Sequence, residues 1–452
     1  MKKLIILLLL INQPSNAGVS LNQNGLGDML ILPYFTVNNG LNTLVSITNT
    51  ATDESKALKI RFKDGENGHT VGSFNIYLAP NDSWAFVMVK IEGVNSILSQ
   101  DASCTPGFDG SMSLSIDNTS LTLDENEFNL FEGHIEIYEM GSLDPTFGFG
   151  EAITFTDGEP NDCPQIIQNW EDSGVWSSEN PKTEILAPTG GLKATLNLID
   201  VANGINYNID AAAFNNFSPK GLSLHSDPAN LAFPTLADSD LTSLLIYNGE
   251  VIETTWPTGF EAISALLMKN QLMVDYSNES SINGQTEVII NFPTKSFYLQ
   301  GEDRLEPFEG PGGITSTFQD CELFLNQILD RDSEVAFVYP GGVSPRPPFL
   351  CGTSSVIKFD GFNSQLRTYL LDAKNTYIQP VFDNKVGFYR IQFNQNTTRG
   401  ISSNASNIIY EGLPVIAHYI TRYTNANAQP GLLAQYGSAY ETQNKIKITS
   451  NN

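Results

Sequence analysis

The chain has 452 residues, with 50 acidic against 24 basic side chains and a formal net charge of −26. A field of that sign repels phosphate backbones and anionic headgroups, which excludes nucleic acid as an expected partner. With 41% hydrophobic and 16% charged residues the chain can bury a sizeable core, and its length predicts two or three domains.

The first predicted element is a targeting segment. Lys2 and Lys3 precede an apolar run at 4–11, and Ser15, Asn16 and Ala17 supply the small residues that a signal peptidase needs. That run is far shorter than the ~20 residues of a spanning helix. Residues 1–17 therefore read as a secretory signal peptide, and no later stretch is long and apolar enough to form a transmembrane helix.

From Gly18 onward the pattern is that of strands. The segment 30–37 contains Pro33, which points to an edge strand. Thr43, Val45 and Ile47 alternate with Leu44, Ser46 and Thr48. Leu58, Ile60 and Phe62 alternate with Lys59 and Arg61, so one face is expected to pack and the other to meet water. Phe74, Ile76 and Leu78 repeat the rhythm, as do Trp84, Phe86 and Met88, with turns at 64–68 and 80–82 between them; Ile135 and Ile137 close the series. Short strands punctuated by turns, with no helical period among them, predict an antiparallel immunoglobulin-like β-sandwich over 18–150.

Residues 151–188 are rich in turn formers and read as a loop-rich junction. Beyond it, 192–201 and 206–214 form a hairpin across Asn203 and Gly204. Ile263, Leu266, Leu267 and Val274 fall on one helical face and predict a helix over 260–274. Strands return at 287–292, 295–299, 356–359, 385–393 and 414–423, while 306–313 and 340–348 are loops by composition. Residues 189–452 are thus a second β-rich domain, divisible into two. The expected class is mainly β: immunoglobulin-like antiparallel sandwiches with long loops and one or two short helices.

Cys104, Cys163, Cys321 and Cys351 are an even number in an exported chain, the setting in which disulfides persist. Proximity favours Cys104 with Cys163 and Cys321 with Cys351. Metal ligation by these thiols is the alternative, but it lacks a C-x-x-C pair and any adjacent histidine.

The runs GLGDMLILPYFTV (25–37), NTLVSITNT (42–50) and FNIYLAPNDSW (74–84), extended by EIYEMG (136–141), NFPTKSFY (291–298) and GLPVIA (412–417), resemble a group of uncharacterised proteobacterial secreted or cell-surface proteins. The resemblance covers most of the mature chain. It implies Gram-negative export to the exterior or outer surface, with the periplasm as the other address, and supplies no catalytic residues.

No reaction is legible. The nearest approach to a nucleophile elbow, at 342–345, has Pro345 directly after Ser344, where the strained strand-to-helix turn must form. There is no phosphate-binding lysine loop or dinucleotide fingerprint. His69, His134, His225 and His418 include no pair at i and i+4 and so offer no local zinc site. Acidic turns supply weak calcium candidates in Asp157, Asp162, Asp238 and Asp240; without an EF-hand spacing, solvated turns are the simpler account, and no cofactor is expected. Trp170, Trp176 and Trp256, in turn-rich surroundings, are the aromatic side chains with which such a chain could contact a ligand. The functional expectation is a secreted or cell-surface non-enzymatic interaction or structural protein, an adhesin, surface-layer or filament subunit. It would contact protein or glycan outside the cell or assemble with itself. The alternative is a secreted carbohydrate-active hydrolase or carbohydrate-binding protein.

Overall fold

A computed structural model describes residues 18–115, 129–300, 303–308, 321–332, 348–361, 369–381, 386–393, 399–403 and 407–450. The expected signal peptide, the segment around Ser344 and most of the 340–348 loop lie outside them. Among the described residues strands make up 52% and helical residues 10%, the latter in four short α-helices and several 3-10 turns, so the chain is mainly β with antiparallel sheets.

Two six-stranded sheets dominate the first half. One runs in the order Ser20–Leu21, Ala212–Asn215, Met29–Thr36, Glu132–Leu143, Ser55–Asp64, Thr70–Leu78. The other runs Ile205–Asp210, Leu192–Asp200, Leu41–Asn49, Ser83–Ile91, Val94–Leu98, Ser111–Ser113. Their facing residues, among them Leu32, Val45, Ile60, Phe74, Trp84 and Leu196, share one apolar core. Each such fully buried side chain contributes about 1.5–3 kcal/mol. Leu41–Asn49 alternates between buried and half-buried positions, with Thr43, Val45 and Ile47 inward, as its sequence predicts.

Four expectations are corrected here. Pro33 lies in an interior strand, flanked by Ala212–Asn215 and Glu132–Leu143. It is tolerated because the register shifts between Leu32 and Phe35, where no ladder bond is asked of it. Lys59 and Arg61 do not meet water; both are buried under the segment 226–234. Lys59 Nζ donates to the Asp227 carbonyl at 2.5 Å, and the Arg61 guanidinium donates to the carbonyls of Pro234 and Leu231. The helix stops early, at Gly259–Leu267, opened by a Thr258–Glu261 capping box. Val274 belongs instead to strand Gln271–Ser277, where Leu272, Val274 and Tyr276 are buried at a period of two and the strand is paired on both sides. Finally, Lys295–Tyr298 is a 3-10 turn, not a strand, begun by the Lys295 N–H donating to the Phe292 carbonyl.

The expected boundary at 188 is crossed by strand pairing. Leu192–Asp200 lies along Leu41–Asn49, from Leu192 opposite Asn49 to Asp200 opposite Leu41, and Ala212 sits opposite Ile31. The segment 151–188 is therefore an excursion from the first pair of sheets.

Among the described residues three further sheets of three or more strands follow. The largest runs Thr376–Val381, Ser354–Gly361, Gln285–Asn291, Ile416–Gln429, Leu432–Glu441, and contains the one parallel pair among the named strands. Counting sheets of three or more strands, the arrangement reads as five β-blades, propeller-like, and not plainly as an immunoglobulin sandwich. The strand order jumps along the chain, whereas a simple meander would follow it.

Cys104 is bonded to Cys163 and Cys321 to Cys351. The first bridge ties the segment beside Tyr77 to helix Cys163–Gln168; the second joins short strands Cys321–Leu323 and Phe349–Cys351. Two disulfides point to an oxidising, extracytoplasmic environment. Among the described residues no helix is long and apolar enough to cross a membrane.

Candidate interaction surface

The tryptophans picked out as ligand contacts are packing residues. Trp176 is buried, stacks on Tyr77 with centroids 5.5 Å apart, and donates from Nε1 to the Thr183 carbonyl at 3.1 Å. Trp256 is buried against Tyr410 and donates to Ser243 Oγ. Trp170 is half-buried and donates to the Tyr77 hydroxyl at 3.0 Å. These loops are rich in turn residues, yet they fold back over apolar surface, and indoles supply the cover.

Three of the four acidic candidates accept hydrogen bonds from nearby backbone. Asp162 caps helix Cys163–Gln168 by accepting from the Gln165 N–H. Asp238 closes a capping box with Thr235, and Asp240 accepts from the Thr242 N–H. Asp157 occupies an exposed turn at φ 54°. Among the described residues no three His, Cys, Asp or Glu side chains come together as a metal set.

Several of the buried polar side chains are joined in hydrogen-bonded networks. His225 joins a chain in which Trp170 donates to Tyr77, Tyr77 donates to His225 Nε2 at 2.6 Å, and His225 Nδ1 donates to the Pro181 carbonyl. Burial holds this imidazole down to about 3. His134 accepts from Asn291 Nδ2, and His418 lies on the inner face of the last hairpin. Burial pushes the Glu136 carboxyl up, but the Lys63 ammonium, His134 and Arg61 outweigh it and hold the group down to about 2. A cleft of about 280 Å³ contains Asp210, Glu441, Lys193 and Lys269, but no aromatic side chain among its described lining. A sugar-cleaving site needs two carboxyl groups flanking the scissile bond.

The feature that sequence reasoning missed is the terminal hairpin. Ile416–Gln429 and Leu432–Glu441 pair around a turn at Pro430 and Gly431, the glycine at φ 76°. Tyr419 faces Tyr440 and Tyr423 faces Tyr436 across the strands, each pair with centroids 5.2 Å apart. Leu432–Glu441 forms the sheet's edge and has no buried residue. Tyr436 is 57% exposed, Tyr440 48%, Leu432 50% and Leu433 56%. From Leu432 to Tyr440 the strand carries no charge. A signal was present: tyrosines four apart at 419 and 423 and at 436 and 440, on either side of Pro430-Gly431, place four rings on one face of a hairpin.

The other face of the hairpin anchors it. Ile420 is fully buried, Arg422 approaches Asp200 at 3.6 Å, and Gln435 Nε2 donates to the Asn203 carbonyl. Beside the tyrosine face, Arg331 and Asp275 form a half-exposed ion pair at 2.9 Å. Burial pushes the Tyr419 phenol up, and the Asp275 carboxylate adds to this. What the arrangement offers is a fixed aromatic surface and a strand at the sheet's edge.

Compared with protein-family models, with curated proteins and with solved structures, the chain gives no match.

Proposed function

We propose that the chain acts outside the cytoplasm as a non-enzymatic interaction protein, of the adhesin, surface-layer or filament-subunit kind, with the terminal hairpin as its contact face. In this reading residues 1–17 are removed as a secretory signal, and the mature protein is released from, or displayed on, a Gram-negative cell. The observation that carries it is the exposed, uncharged strand Leu432–Tyr440 on a chain of net charge −26. Soluble proteins guard sheet edges with charge, proline or a covering segment, and apolar surface left open marks a contact.

Tyrosine suits that role because it offers large area for little side-chain entropy. In each cross-strand pair the rings lie against each other, so ring edges and hydroxyls are what they present outward. That favours a protein surface over the flat platform on which a sugar ring stacks. The two disulfides and the shared core of the six-stranded sheets supply the rigid frame.

The test is binding of the purified mature protein to intact cells and to the proteins of the secreted fraction, compared with a Tyr436→Ser/Tyr440→Ser variant. Saturable binding that weakens by about tenfold or more in the variant is expected, with thermal unfolding little changed. Equal binding by the two proteins, or none by either, removes the reading.

A further inference from the structure

We infer that the hairpin's partner is a second copy of this chain, joined edge to edge through Leu432–Glu441 in a two-fold antiparallel pair centred on Tyr436. This rests on the reading of the hairpin as a contact surface and adds the identity of what it contacts. Among the described residues Leu432–Glu441 pairs only with Ile416–Gln429, so its outer row of N–H and C=O groups has no ladder partner and can take a further strand.

The strand is complementary to itself. A two-fold axis perpendicular to the sheet and midway between the two copies of Tyr436 sets residues opposite one another on the same face. On the tyrosine face Leu432 of one copy then meets Tyr440 of the other, and Ala434 meets Ser438. On the opposite face Leu433 meets Ala439, and Gln435 meets Gly437. On the tyrosine face, large residues face large and small face small. Centring the axis on Ala434 or Ser438 instead shortens the ladder, because the strand ends at Leu432 and Glu441.

Charge selects the same place. Two copies that each carry −26 repel, and a two-fold contact elsewhere on so acidic a surface tends to set carboxylate against carboxylate. The stretch from Leu432 to Tyr440 brings no charge to its own copy. Association should therefore strengthen as salt screens the long-range repulsion, the opposite of what a basic partner would show.

Cysteine placement reads the register directly. All four native cysteines are in disulfides, so an introduced thiol is the only free one. In Tyr436→Cys the new thiol meets its own copy at the axis; in Ser438→Cys it meets Ala434. The expected result is that mild oxidation converts Tyr436→Cys to a covalent dimer while Ser438→Cys stays a monomer on a non-reducing gel. The unmodified protein should form a reversible dimer in sedimentation velocity that grows with concentration and with sodium chloride. Tyr436 is exposed, and a thermal melt like that of the unmodified protein confirms that the variant folds. A monomer under all these conditions, or cross-linking of Ser438→Cys as fast as that of Tyr436→Cys, overturns the inference. If the protein is a monomer and Tyr436→Ser/Tyr440→Ser still loses cell binding, the contact-surface reading stands and the self-pairing falls.

Discussion

Gly437 lies directly against Tyr207, so closely that a Cβ on the glycine would sit 2.6 Å from the tyrosine Cε1 and from Ile205 Cγ2. Tyr207 and Ile205 belong to the core of the six-stranded sheets, and the terminal hairpin is seated on that core by the lack of a side chain at this point. Contact this close fixes how the tyrosine face is presented. Gly437→Val should lift the hairpin from the strand beneath it and cost about 1–3 kcal/mol, the usual penalty of overpacking. Urea unfolding measures the loss, and an unchanged midpoint would mean that the hairpin is not seated as described.

Removing the Cys104–Cys163 bridge is expected to cost about 4 kcal/mol, because it closes a loop with a sequence separation of 59. Cys104→Ser/Cys163→Ser should lower the urea midpoint accordingly. It should also alter tryptophan emission, since helix Cys163–Gln168 leads directly into Trp170 and Trp176.

Acid should destabilise the protein through His225. Its imidazole is held near 3 in the fold against 6.5 for the free group, with burial as the cause. Between those values the unfolded chain binds the proton and the folded one does not, so stability falls as pH drops below about 6.5 and continues to fall toward 3. In His225→Gln the slope of the urea midpoint against pH should flatten within that window. The same slope in both proteins would assign the acid sensitivity to other groups.

Lys56 and Glu139 form a fully buried ion pair at 2.9 Å, and the Glu139 carboxylate also accepts from the N–H groups of Thr189 and Gly190. Lys56→Met strands that carboxylate without its cation and should cost about 3–5 kcal/mol. Adding Glu139→Leu should recover part of the loss, because the unpaired charge is then gone; a double variant no more stable than the single would count against this account.

Much of the local β pattern was legible in the residues. Alternation placed Val45, Ile47, Phe74 and Trp84 in the core, and cysteine parity with proximity gave both bridges. What failed were particular inferences about surroundings. Period two at Leu58, Ile60 and Phe62 separates one face from the other, but Lys59 and Arg61 are buried because a segment more than 150 residues away lies over them. Turn-rich sequence around Trp176 and Trp256 suggested exposure, and the loops instead fold those indoles inward.

By itself, the sequence determined that the chain is mainly β, where many of its strands run, which side of many of them is apolar, and which cysteines pair. These are properties of neighbouring residues and of short loops. Only the tertiary structure decided that 192–215 joins the first two sheets, that His225, Asp162 and Asp238 are engaged in hydrogen bonds within the fold, and that Leu432–Glu441 is left at an edge. Whether a face or an edge meets solvent is fixed by which distant segment packs there, and the pattern within a strand carries no record of that segment.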